Sequence, residues 1–337
     1  MKKVFLMFCI LAVLALGACS KSGSSEKRKA ITIKASTIQL PTQQMGLGMK
    51  MLEENLKKEL GDWVDFRGYD SAQLYGAPEE VVAVSRGDVQ MALAIGGVME
   101  TISSKIQIVS MTWLFPDVPT AYKVLESGET GKQIFAPAEQ AGIKIVGFFN
   151  SGSAVVSNNR HPIRTPADFT GLKLRAPGKM DTMTITAMGA NAIVTPSEEV
   201  YTAIQQGVID GMSTPSTVFI GRRFFEINKY VTNTDNMSMQ MSFMIANKAW
   251  YDGLPAEFRA GFDRAVKATV DKIRSDAVVD NDNAFSKMAQ EGCEVHVLTD
   301  GEKAIWKATA EKSVWPAMYT ELGAELIDLA RKEAGTL

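Results

Sequence analysis

Gly171-Leu172-Lys173-Leu174-Arg175-Ala176-Pro177-Gly178 reads as a short strand: Leu172 and Leu174 alternate with Lys173 and Arg175, and a Pro-Gly turn ends the period of two. The residues that follow, 180–188, have the pattern of an amphipathic helix. A strand that passes straight into a helix is the unit of a parallel α/β sheet. The same alternation extends outward in both directions. Short apolar runs at residues 31–35, 64–67, 91–94 and 106–109 are interleaved with amphipathic segments at 45–60 and 79–86. A second series has runs at 143–149, 154–158, 172–175, 192–194 and 239–247, with helical segments at 180–188 and 198–206. The reading predicts α/β structure in two domains, which a chain of 337 residues also favours.

Punctuation supports these elements. Thr165-Pro166-Ala167-Asp168 and Thr195-Pro196-Ser197-Glu198 each place a hydroxyl cap before a proline at the first helical position, and Thr299-Asp300-Gly301-Glu302 has capping-box spacing. Between residues 255 and 290 only Gly261 opposes helix, and Phe258, Phe262, Ala265 and Val266 form a stripe. One long helix, or two end to end, is expected there.

The charge balance narrows the function. With 36 Lys and Arg against 38 Asp and Glu there is no basic excess to grip phosphates, so nucleic acid is not an expected partner. Two histidines, His161 and His296, and three cysteines, Cys9, Cys19 and Cys293, are not at ligand spacing, so no metal is expected. At the N-terminus, two lysines precede an apolar run of 13 residues, 4–16, too short to cross a bilayer and suited to an export signal. Leu16-Gly17-Ala18-Cys19 resembles the lipobox of bacterial lipoproteins, which implies cleavage after residue 18 and acylation of Cys19. The expected layout is a lipoprotein signal peptide at 1–18 and a flexible, polar tether at 19–30. A mature chain starting at Cys19 has 34 basic and 38 acidic residues and, with Cys19 acylated, no internal disulfide.

Enzyme chemistry finds little support. His161 sits in a polar turn before Pro162, and no G-x-S-x-G, P-loop, dinucleotide or H-E-x-x-H pattern occurs. Gly46-Leu47-Gly48 lies inside a helical pattern, and the acidic pairs Glu53/Glu54, Glu79/Glu80 and Glu198/Glu199 fall on helix surfaces. Arg175, by contrast, stands at the carboxyl end of its strand, the edge of an open α/β sheet where ligands bind, and a guanidinium there offers two parallel donors to a carboxylate.

The region around Arg175 resembles the DctP-type solute-binding proteins of TRAP (tripartite ATP-independent periplasmic) transporters. The similarity is carried by residues 166–175 (PADFTGLKLR), Met188-Gly189-Ala190, residues 199–211 (EVYTAIQQGVIDG) and residues 225–232 (FEINKYVT), with weaker matches over about 31–322. It implies a type II periplasmic-binding-protein-like fold, in which two α/β domains close about a hinge on a ligand in the cleft between them. Domain I would hold 31–151 plus 240–279, and domain II 152–239 plus 280–337. The resemblance also implies an extracytoplasmic monomer that delivers a small organic acid to a TRAP permease in the membrane, with no cofactor. An ABC-type uptake lipoprotein would share signal and cleft but not the 199–211 string, and a secreted hydrolase would need a nucleophile and base.

Carried onto this chain, the arginine that clamps the ligand carboxylate is Arg175, and Thr214, before Pro215, supplies a polar contact. The other candidate substrate-binding residues are Gln39, Ile95, Trp113, Phe115, Ser153, Ala154, Ser197 and Pro215. Where relatives often carry a second arginine, this chain has Gly152-Ser153-Ala154, and where sugar-acid binders carry an acid it has residues 94–97, AIGG. With Ile95, Trp113, Phe115 and the Met-rich stretch 237–244, this predicts an apolar pocket and a monocarboxylate ligand rather than a sugar acid or dicarboxylate.

Overall fold

The computed structural model describes residues 28–337, so the expected signal peptide, Cys19 and the tether up to residue 27 lie outside the described residues. In chain order the strands are β1 (Ile31–Ser36), β2 (Val64–Tyr69), β3 (Met91–Ile95), β4 (Ile143–Asn150), β5 (Ala154–Asn158), β6 (Lys173–Ala176), β7 (Asn191–Val194), β8 (Gly211–Pro215), β9 (Tyr230–Asn233), β10 (Met241–Asn247) and β11 (Glu294–Val297). They form two sheets, ordered β2-β1-β3-β10-β4 and β11-β9-β5-β8-β6-β7. Each sheet is parallel apart from one inserted strand: β10 runs antiparallel to β3 and β4, and β5 antiparallel to β8 and β9. Those two strands follow the crossings between sheets, at residues 151–153 after β4 and 234–240 before β10.

Helices cover the sheets as α/β packing requires. The first half carries α1 (Gln44–Leu60), α2 (Ala77–Arg86), α3 (Gly96–Met99), α4 (Val118–Ser127) and α5 (Glu129–Gln140). Then come α6 (Lys179–Met188), α7 (Val200–Gln205), α8 (Ser216–Gly221), α9 (Lys248–Asp252), α10 (Ala256–Gln290), α11 (Asp300–Ser313), α12 (Trp315–Leu322) and α13 (Ala324–Ala334). The stripe predicted in 255–290 yields one unbroken helix: α10 has 35 residues, about 50 Å at 1.5 Å per residue, and packs on α1 and β4 of one sheet and on α8 and β11 of the other. Phe258, Phe262, Ala265 and Val266 are buried with Leu52, Leu56 and Phe149. α11 lies on α6, whereas α13 lies on α4 and α5, so the C-terminal segment touches helices of both halves.

Local signals hold where side chains close hydrogen bonds. Thr299 and Glu302 form the predicted capping box, as do Thr165 and Asp168, although the latter opens only a 3₁₀ turn, Pro166–Phe169. After Thr195-Pro196 the helix begins later than expected, at Val200. The run at 106–109, expected as a strand, lies within a 3₁₀ helix, Ser104–Ser110. It contacts α3, α5, α6 and α12. Ile106, Gln107, Ile108 and Val109 are all buried, and four residues covered on all sides carry no period that separates strand from helix. Among the described residues, no helix is long and apolar enough to cross a membrane, and no cluster of metal-ligating side chains occurs.

Candidate functional site

The Pro-Gly turn after β6 carries the chain into α6, which places Arg175 at the end of the strand and Asp181 in the first turn of the helix. The neighbouring parallel strand β8 ends in Ser213, Thr214 and Pro215. Facing them are the residues that follow β1 (Ile38, Gln39) and β3 (Gly96, Gly97), and those that lead into β10 (Met239, Gln240). Together they line a narrow cavity of about 50 Å³ that opens in part to solvent. The site thus sits at the carboxyl ends of the parallel strands of both sheets, where α/β sheets bind ligands.

Arg175 is only 4% exposed. Its Nε donates to the Thr195 carbonyl at 3.0 Å and Nη1 to the Ser213 carbonyl at 3.1 Å, so the guanidinium is held from behind by two backbone oxygens. Nη2 has no partner among the described residues. Burial brings its pKa down to about 10, with Asp181 and Glu198 opposing that and Arg222 adding to it; the group remains a cation at neutral pH. Two further donors converge on the cavity. The Gln39 amide oxygen accepts from Met45 N–H at 2.8 Å, which leaves Nε2 without a described partner, and the buried Thr214 hydroxyl likewise makes no described hydrogen bond. A cation and two neutral donors aimed into one space suit an anion, and a planar carboxylate best.

The cavity also contains an acid that the sequence reading passed over. Asp181 is 8% exposed and accepts from Ser213 Oγ at 3.2 Å. Burial pushes its pKa up to about 6, opposed by the Arg175 charge and the Ser213 hydrogen bond. The two side chains form no direct ion pair. In the sequence Asp181 looks like an ordinary first-turn acid that complements the helix dipole. Its only signal is its position six residues after the strand-end arginine, just past the turn.

The walls of the cleft meet at its edges. A Cβ on Gly97 would lie 2.9 Å from the Pro177 carbonyl oxygen, so only glycine permits this approach. Beside it, the Lys179 N–H at the start of α6 donates to Glu100 Oε2 at 3.2 Å. Burial raises Glu100 to a pKa of about 7, opposed by the Lys179 N–H and Lys179 charge and reinforced by Asp181 and Glu321. Elsewhere Arg222 Nη2 donates to the Ile38 carbonyl at 3.3 Å, and Thr217 Oγ1 to the Ser151 carbonyl at 2.7 Å.

Of the expected contact residues, Arg175, Thr214, Gln39, Ile95, Ser197 and Pro215 line this cavity. Trp113, Phe115, Ser153 and Ala154 do not, which corrects their expected position. Phe115 is 1% exposed, and it and Trp113 pack into the main hydrophobic core; Trp113 takes a positive φ of 52° with its N–H bonded to the Met237 carbonyl. Ala154 is buried in β5, and Ser153 is tied by its N–H to Asn281 and by its carbonyl to Ser216 N–H. The lining is mixed: Ile38, Ile95, Val218, Met239 and Met241, the last two from the Met-rich stretch, stand beside Asp181, Gln39, Gln240, Ser110, Ser151 and Ser242, and no aromatic side chain is among them.

Known proteins resemble this chain over most of its length. The family model described as bacterial extracellular solute-binding protein, family 7 (DctP) matches residues 35–322. The C4-dicarboxylate-binding periplasmic protein DctP of Rhodobacter capsulatus is 32% identical over 302 residues, 88% of this chain and 89% of that protein. The 2,3-diketo-L-gulonate-binding periplasmic protein YiaO of Escherichia coli K12 is 27% identical over 292 residues, 86% of this chain and 87% of its own. Among solved structures, a TRAP periplasmic solute-binding protein from Sulfurospirillum deleyianum with bound succinate superposes with a TM-score of 0.82 at 25% identity, covering 90% of this chain and 99% of that one.

Proposed function

Because the chain belongs to family 7 of the bacterial extracellular solute-binding proteins, we propose that it captures a small organic acid in the cleft, with the ligand carboxylate on Arg175, and delivers it to a TRAP permease. The observation that carries this reading is the buried guanidinium whose Nη2 points no donor at the protein, in a cavity bounded by both sheets. Thr214, Gln39, Ile95, Ser197 and Pro215 supply the remaining proposed contacts. Residues 31–151 and 240–279 act as one jaw and residues 152–239 and 280–337 as the other, apart from α13, which packs on α4 and α5 of the first jaw, with the crossings at 151–153, 234–240 and α10 as the hinge. Cys19 is the proposed lipid attachment that keeps a monomer at the outer face of a membrane, and the chain needs neither cofactor nor catalytic step.

Binding proceeds by population shift: the ligand touches both jaws only when they are closed, so it stabilises that state by its differential affinity. Closure removes water from around Arg175 and its carboxylate, and the charge-assisted pair strengthens as the local dielectric falls. The ABC-type receptor and the secreted hydrolase are not favoured, since the matching family is one of extracellular solute-binding proteins, the Rhodobacter relative is named as a C4-dicarboxylate-binding protein, and the superposing structure is a TRAP solute-binding protein.

A thermal-shift screen of organic acids identifies ligands, since one at 100 times its Kd adds about 2.7 kcal/mol to stability. Arg175→Ala then leaves a ligand carboxylate without its buried partner, which costs about 3 to 5 kcal/mol, on the order of a hundredfold or more in Kd. Arg175→Lys rescues little, because one ammonium cannot both hold the Thr195 and Ser213 carbonyls and face the ligand. Binding by Arg175→Ala within threefold of wild type would exclude the proposed role.

A further inference from the structure

The carboxylate of Asp181 is buried in the ligand cavity of a protein read here as a receptor for anions. Its position is fixed by the first turn of α6 and by Ser213 Oγ at 3.2 Å, and that bond occupies one oxygen. Burying a carboxylate with so little hydrogen bonding is costly unless something else donates to it. Arg175 is the charge that most favours its ionised form, and the two, which make no ion pair with each other, both line the ligand cavity. A second carboxyl reinforces the negative end: Glu100 approaches the same turn from the other sheet, and a Cβ on Gly178 would lie 3.4 Å from its Oε1.

We infer that Asp181 is a specificity-determining residue, which admits acids bearing a hydroxyl group toward its end of the cavity and rejects those bearing a second carboxylate there. This rests on the proposal that the first carboxylate binds Arg175. A hydroxyl donates to the free face of Asp181 and restores the hydrogen bond that burial removes, while its own oxygen can accept from the serine and threonine hydroxyls nearby. A second ligand carboxylate meets like charge in a space partly cut off from water, where repulsion is strongest. An ammonium is disfavoured because the cavity already holds one cation, with Arg222 close enough to lower its pKa further, and has no aromatic face to receive a second. On this reading the ligand differs in class from the C4-dicarboxylates for which a 32% identical relative is named.

Calorimetric titration of one carbon skeleton tests this: butanoate, the three monohydroxybutanoates, trihydroxybutanoate, aminobutanoate and succinate, against wild type, Asp181→Ala, Asp181→Asn and Arg175→Ala. In wild type at least one hydroxylated acid binds tenfold or more tighter than butanoate, in keeping with a hydrogen bond to a charged group, and succinate and aminobutanoate bind no better than butanoate. In Asp181→Ala the hydroxyl preference collapses to within threefold, and succinate gains tenfold or more relative to butanoate. Asp181→Asn, which keeps the shape and the bond to Ser213, also admits succinate, so a misfolded alanine variant does not decide the matter. A merely structural role for Asp181 weakens every acid alike, and that pattern overturns the inference. So does a wild-type protein that prefers succinate, butanoate or the amino acid, or that binds none of the series. If Arg175→Ala abolishes binding while the Asp181 variants keep the wild-type ranking, only this inference falls; if Arg175→Ala binds as wild type does, the carboxylate reading itself falls.

Discussion

Glu80 is wholly buried in α2, with one carboxylate oxygen 3.5 Å from Ser36 Oγ and the other without a partner. Burial raises its pKa well above the usual carboxylate range, with the Ser36 hydrogen bond opposing and the Glu198 charge reinforcing the shift. A folded-state pKa above the unfolded one gives a contribution that is fully present at low pH and is lost as pH rises through the folded value, at up to about 1.4 kcal/mol per pH unit for one proton. Glu80→Gln removes that dependence. Thermal melting of both proteins from pH 5 to pH 8 should show the variant gaining on wild type as pH rises, and parallel curves would contradict the burial argument. At this scale the sequence was partly legible. Arg175 was found because alternation and a Pro-Gly turn fix a strand end, and chemistry follows from that position. The sequence places Glu80 on a helix surface beside Glu79 and gives Asp181 no distinguishing mark, because one residue of rotation on a helix decides between solvent and cavity. Trp113 and Phe115 were expected in the pocket for their apolar bulk, which serves a core equally well.

At the scale of elements, the periodic segments were the legible ones. α1 and α10 have long stripes, and the Thr299 capping box marks α11 within a residue. α5 left a weaker trace, since Pro137 lies inside it and interrupts the pattern that its buried face requires. The 104–110 segment was misread because burial on every side erases periodicity. The junction of β3 and α3 is legible as a pocket segment, residues 94–97, but its contact with the other sheet is not, because that contact is made in space and leaves no local pattern. There a Gly97 Cβ would stand 2.9 Å from Pro177 O and 3.3 Å from its carbonyl carbon, both backbone atoms that cannot swing aside. Gly97→Val should therefore hold the walls apart. Overpacking of about 1 to 3 kcal/mol corresponds to roughly a fivefold to hundredfold loss in ligand affinity, with melting of the ligand-free protein little changed. Calorimetry of the variant that returned wild-type affinity would mean that this contact takes no part in closure.

At the scale of the molecule, two parallel sheets, each with one antiparallel insertion, are joined by three crossings, and one helix of 35 residues packs on both. The order of strands and helices announced two α/β halves. It could not announce that α13 returns to α4 and α5, because helix stripes show that a face is buried and not against what. The cleft between the halves brings Arg175, Thr214 and Asp181 from one sheet against Gln39 and Gly97 from the other. The most direct test is a crystal structure with the tightest acid from the thermal-shift screen. The account predicts the ligand carboxylate within hydrogen-bond distance of Arg175 Nη2, enclosed between residues 38–39 and 95–97 on one side and residues 175–181 and 213–215 on the other. An acid bound outside this cleft, or inside it with Arg175 still bonded only to the Thr195 and Ser213 carbonyls, would contradict it.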